Sequence, residues 1–124
     1  MSKMSKWHDE LEVSLLQWEE ADLHCDGMTY VLSYILRNSD ITHHCYTGYV
    51  KDKSNGDLVA PHCWIKLEDG WIIDFRLRMW LGDKEDIPHG VFQTTSWPQF
   101  DYQMMSVLDT ELDKEEFEIF IDKI

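Results

Sequence analysis

Basic residues are scarce in this sequence: 11 Lys and Arg stand against 24 Asp and Glu, for a formal net charge of −13. No basic stripe offsets the acid, which argues against binding to nucleic acid or to an anionic membrane surface. Long apolar runs are missing too, and none approaches the roughly 20 residues that cross a bilayer. The segment Met1 to Lys6 is polar and lacks the apolar stretch of a secretory signal, so a cytoplasmic location is the default expectation. Cysteine is limited to Cys25, Cys45 and Cys63. An odd count without a signal argues against a disulfide framework and leaves chemistry or metal binding as the use for these thiols.

What is present suits a single globular domain spanning residues 1–124, with 44% hydrophobic and 13% aromatic residues. Trp7, Leu11, Leu15 and Trp18 recur at helical spacing over residues 6–20. Met28, Val31, Leu32, Ile35 and Leu36 mark one face of a helix from about Cys25 to Arg37, closed by Asn38-Ser39-Asp40. The period then changes to two. Residues 43–51, 60–67 and 71–76 read as strands, with an Asn55-Gly56 turn signal between the first two. Residues 82–100, broken by Gly82, Pro88, Gly90 and Pro98, read as irregular with a short strand at 90–94. Phe117, Phe120, Ile121 and Ile124 return to helical spacing, and Asp113 with Glu116 forms a capping-box pattern. The expected class is α+β: N-terminal helices on a small antiparallel sheet, then a C-terminal helix.

The stretch HCWIKLEDGWIIDF, residues 62–75, holds a histidine and an aspartate on either side of a turn. A two-residue Asp69-Gly70 loop would put His62 and Asp74 on opposite sheet faces. A three-residue Glu68-Asp69-Gly70 loop, with Gly70 left-handed, opposes Leu67 to Trp71. That register gathers Cys63, Ile65, Leu67, Trp71, Ile73 and Phe75 on an apolar face. The opposite, more polar face receives His62, Trp64, Lys66, Ile72, Asp74 and Arg76. Because a buried face fixes register, the three-residue loop is expected. His62 and Asp74 then become diagonal neighbours at roughly 7–8 Å, close enough for their side chains to hydrogen-bond.

Cys25 is the best nucleophile to set beside that imidazole. It starts the helix carrying Met28 to Leu36, where the helix dipole favours thiolate and an imidazolium would favour it further. His62 would act as general base and then general acid, with Asp74 fixing its tautomer. In this pattern, CDGMTYVLSYILR followed by HCWIKLEDGWIIDF, the chain resembles the transglutaminase-like, papain-like cysteine enzymes. Among these it looks most like small bacterial and phage members such as lasso-peptide leader proteases. The resemblance covers roughly residues 20–80 and rests on Cys25, the H-x-W of His62 and Trp64, and Asp74. The sequence departs from that pattern at His24, where Gly is common before the Cys, and at Phe75, where Pro often follows the Asp. The resemblance implies a thiol protease, amidase or acyl transferase with a Cys25–His62–Asp74 triad, a thioester intermediate, a peptide or protein substrate and no cofactor. The Cys25 N–H is a natural oxyanion donor. Gln17 is a candidate second donor, Trp64 a candidate cleft wall and His89 a candidate border of the substrate site.

Two other classes compete. Seven Cys and His residues fall within residues 24–63, in His24-Cys25, His43-His44-Cys45 and His62-Cys63, which suggests zinc. No C-x-x-C or H-x-x-x-H spacing occurs, however, and strand neighbours point to opposite faces. The acid at Asp9–Asp22, Asp83–Asp86 and Asp101–Asp122 reads as a solvated surface, or as a non-enzymatic docking or inhibitory surface for a basic protein partner. Cys45 and Cys63 read as core thiols.

Overall fold

The computed structural model describes residues 6–109 and 112–122. The chain forms α1 (Lys6–Leu15), a 3-10 turn (Leu16–Trp18), α2 (Cys25–Asn38), β1 (His43–Asp52), β2 (Leu58–Leu67), β3 (Ile72–Asp74), α3 (Leu77–Leu81), β4 (Gly90–Phe92), β5 (Phe100–Val107) and α4 (Lys114–Asp122). The strands make one antiparallel sheet in the order β4-β3-β2-β1-β5. This is an α+β architecture. Among the described residues no helix is long and apolar enough to cross a membrane.

The α2 stripe is buried as its spacing requires: Met28, Val31, Leu32 and Leu36 are each at most 2% exposed. With Leu11 and Leu15 of α1 they pack on Cys45, Ile65, Leu67, Trp71, Ile73 and Phe75 of the sheet. Each such aliphatic side chain contributes about 1.5–3 kcal/mol of burial. Asp40, at φ 57°, ends α2, with the Ile41 N–H on the Leu36 carbonyl and the Asp40 N–H on that of Arg37. Beyond the last strand, α4 packs on α2 through Phe117, which stacks on Tyr34 at 4.1 Å. The capping box at its start is present: the Glu116 N–H donates to Asp113 Oδ1 at 2.8 Å, and the Asp113 N–H to Glu116 Oε1 at 3.3 Å. Ile124 and the side chain of Phe120 lie outside the described residues.

The β2–β3 hairpin adopts the three-residue register. Ile65 opposes Ile73 and Lys66 opposes Ile72, the Leu67 N–H donates to the Trp71 carbonyl, and Gly70 has φ 93°. His8 of α1 covers the turn, stacking on Trp71 at 3.6 Å and bonding Asp69 Oδ2 at 2.7 Å.

Four expectations change. The strand expected over 71–76 narrows to Ile72–Asp74, because Asp74 turns the chain into α3: its Oδ1 accepts the N–H groups of Arg76 (2.9 Å) and Leu77 (3.1 Å). The helix expected over 6–20 ends at Leu15 and tightens into the 3-10 turn. An unanticipated strand, β5, pairs with β1, and only Phe100, Asp101 and Tyr102 of it are covered. Finally, the face taken as polar is a second core. Val50, Val59, Trp64, Ile72, Leu77, Ile87, Phe92 and Phe100 pack together under α3 and the connection that follows it.

That second core requires Gly48. A bulge separates Thr47 from Gly48 in the β1–β5 ladder, and a Cβ at Gly48 would collide with the Gln103 carbonyl and press on the Trp64 ring.

Candidate active site

Two segments meet at the start of α2, and a third group stands behind them on the far face of β2. The first is the connection from the 3-10 turn into Cys25. Three of its contacts come from one buried side chain, Arg76, which stands just past β3 and makes a fourth bond to its own neighbour Phe75. Its Nε donates to the Leu23 carbonyl (2.6 Å), its Nη2 to Ala21 (2.7 Å), and its Nη1 to Glu19 (2.8 Å) and Phe75 (2.9 Å). A planar guanidinium with donors on three nitrogens can satisfy this many carbonyls, and so it fixes the chain entering Cys25.

The second is the middle of β2, where Cys63 points toward α2. Cys25 and Cys63 line one small void together, close enough for the thiol–thiol hydrogen bond that sets their acidities. Thr47 Oγ1 on β1 lies 3.6 Å from Cys63 Sγ. The hydrogen bond from Cys25 holds the Cys63 thiol down to about 6, opposed by burial and helped by Thr47 and the charge of His62. The same bond, burial and the Cys63 charge push Cys25 well above the ordinary thiol range, and the Asp26 carboxylate adds to this. The pair therefore sheds one proton readily and keeps the other.

The third is the buried His62–Asp74 pair on the opposite face of β2. His62 is 0% exposed, and its Nε2 lies 2.8 Å from Asp74 Oδ2. An ionised carboxylate only accepts, so Nε2 carries the proton. Tyr102 of β5 donates its O–H to the same oxygen at 2.8 Å. Burial alone would raise the Asp74 carboxyl. The His62 charge and hydrogen bond, with the Arg76 N–H and the Tyr102 O–H, outweigh it and hold the group below the usual range. Burial alone would likewise lower His62, but the Asp74 charge and hydrogen bond raise it. Burial first, and then the Asp74 charge, push the Tyr102 phenol well up, so it remains a neutral donor. The other ring nitrogen of His62, Nδ1, is buried and has no hydrogen-bond partner.

Cys25 and Cys63 line a cavity of about 860 Å³ whose walls include Asp26, Thr47, Asp57 to Pro61, Trp80 and Leu81. Trp80 is 54% exposed at its mouth.

Of the residues expected from sequence, His62 and Asp74 meet as anticipated. Cys25 starts α2 as anticipated, but its hydrogen-bond partner is Cys63 and not His62, because alternation along β2 sends neighbouring side chains to opposite faces. Cys63, expected to be a core thiol, is instead the acidic member of a thiol pair in the cavity wall. Trp64 is 2% exposed and sits in the second core against His62 and Tyr102, away from the cavity. Gln17 is exposed and bonds back to the Ser14 carbonyl within its own helical segment. His89 pairs with Glu19 at 3.3 Å and lines a different depression with Trp71 and Trp97. These three do not border Cys25. Cys45 is buried in the first core. Among the described residues no three metal-ligating side chains converge, so the zinc reading has no site there.

No protein-family model, no curated protein and no solved structure was found to match the chain.

Proposed function

We propose that the chain is a cysteine hydrolase or acyl transferase of transglutaminase-like, papain-like type, acting on a peptide or amide bond through a thioester on Cys25. The observation that carries this reading is the state of His62. Asp74 takes its Nε2–H, its pKa is raised, and its Nδ1 is buried without a hydrogen-bond partner, one residue along β2 from Cys63. A buried polar atom without a partner costs about 1–3 kcal/mol. A substrate leaving group positioned at Nδ1 relieves that cost.

Cys25 is the attacking sulfur because it is the more exposed of the two and stands at a helix start. Its proton shifts along the existing hydrogen bond to Cys63 as its sulfur bonds the substrate carbonyl carbon. Nδ1 of His62 gives its proton to the departing amine. Water or a second amine then attacks the thioester, neutral Nδ1 takes its proton, and Cys25 leaves as thiolate. His62 is not in the wall of the Cys25–Cys63 cavity, so this step requires substrate binding to bring Nδ1 and the Cys25 sulfur together. Hydrolysis is favoured over transfer. The acidic surface as a docking site for a basic protein is the competing, non-enzymatic reading.

Iodoacetamide near neutral pH distinguishes the two. Rapid, selective modification of Cys25 supports the enzyme. Slow, equal labelling of all three thiols overturns it in favour of the binding protein.

A further inference from the structure

The triad chemistry needs one thiol, yet two share the cavity. Cys25 and Cys63 line one small enclosed void together, and both also line the same open cavity of about 860 Å³. They come from elements that pack against each other, the start of α2 and the middle of β2. Cys45, 4% exposed in the first core, is not in that cavity wall.

We propose that Cys25 and Cys63 form a peroxide-responsive dithiol that closes to an intramolecular disulfide, a modification site distinct from acyl transfer. The oxidant is hydrogen peroxide or a small organic hydroperoxide, compact enough to reach the Cys63 sulfur, whose residue is 8% exposed in the cavity wall. The Cys63 thiolate attacks one peroxide oxygen. A sulfur–oxygen bond forms, the oxygen–oxygen bond breaks, and hydroxide leaves, or an alcohol once protonated. Cys25 then attacks the Cys63 sulfur. The sulfur–sulfur bond forms, the sulfur–oxygen bond breaks, and the Cys25 proton departs with the hydroxyl as water. Two thiols have lost two electrons and two protons, and the peroxide has been reduced to two waters, or to one water and an alcohol.

Thr47 beside Cys63 and the charge of His62 favour the anion that starts the sequence. A low thiol pKa also reduces intrinsic nucleophilicity, so the decisive feature is the resolving thiol in the same pocket wall. Closure removes the proposed nucleophile reversibly. The chemistry itself does not depend on whether the cavity turns over an acyl substrate.

The test uses the full chain, reduced and freed of reductant, then exposed to hydrogen peroxide. Intact mass and non-reducing peptide mapping are expected to show the loss of two hydrogens and a link between the Cys25 and Cys63 peptides, reversed by dithiothreitol. In a Cys25→Ser variant the reaction is expected to stop at a sulfenic acid on Cys63, trapped as its dimedone adduct. Addition of oxygens without a Cys25–Cys63 link, or a link through Cys45, would overturn the proposal. So would a Cys25→Ser chain, folded by circular dichroism, that yields no Cys63 adduct. All these readouts are masses, so they stand apart from any failure to find an acyl substrate.

Discussion

Replacing Asp74 with Asn should reverse the pH dependence of stability as well as lower it. Asp74 is 3% exposed and accepts four hydrogen bonds, two at each oxygen. Asn keeps one carbonyl oxygen for the Arg76 and Leu77 N–H groups, but it presents an NH₂ to His62 and Tyr102. Hydrogen bonds to a charged group contribute about 1.5–3 kcal/mol each, and tautomer and hydroxyl rearrangement recover part of the two that are lost. The expected cost is therefore about 2–4 kcal/mol, or a Tm decrease on the order of 10 °C for a chain of this size. The pH profile is sharper. Asp74 is held low, so its stabilisation is present above the unfolded-state value of about 3.9 and is lost as pH falls through the folded value. His62 is held high, so its contribution is complete below about 6.5 and is lost as pH rises through its raised folded value. Without the Asp74 charge, burial dominates His62 and lowers it, and the variant should then gain stability as pH rises from about 5 to 7. His43, lowered chiefly by burial, contributes that same trend to both proteins and cancels in their difference. Urea unfolding across this pH range measures the difference directly. A variant that stays parallel to wild type at every pH would refute the buried ion pair.

Other perturbations have smaller scope. Arg76→Lys offers one ammonium to four carbonyls; it should cost about 2–4 kcal/mol and loosen residues 19–23, read as faster amide exchange there. Gly48→Ala drives a Cβ into the Gln103 carbonyl; it should cost about 1–3 kcal/mol, with the loss of hydrogen-exchange protection concentrated in β5. Asp113→Ala removes a reciprocal cap and should cost about 1 kcal/mol, visible as reduced helicity on a thermal scan.

The hairpin was readable in the sequence because one strand face is continuously apolar and one register alone preserves it; the His62–Asp74 contact follows from that register. The α2 stripe and the α4 capping box were readable for similar reasons, since local spacing and local hydrogen bonds determine them. Tyr102 was not: β5 buries its first residues and exposes Met104, Met105 and Val107, so it carries no clear alternation. Arg76 was hidden because its partners are backbone carbonyls, which leave no trace in side-chain identity. The pairing of Cys25 with Cys63 depends on where α2 crosses β2, which spacing along the chain does not encode. Trp64 misled because an aromatic beside a histidine reads the same whether it walls a cleft or fills a core.

The acyl-enzyme on Cys25 is the central claim, and intact-mass analysis after exposure to an electrophilic acyl-peptide probe tests it most directly. The expected result is a single adduct that maps to Cys25. It should form more slowly by a factor on the order of 10²–10⁴ in a His62→Gln chain whose near-ultraviolet circular dichroism matches wild type. An adduct on Cys63 or Cys45 with Cys25 unmodified, or an undiminished rate in that variant, would contradict it.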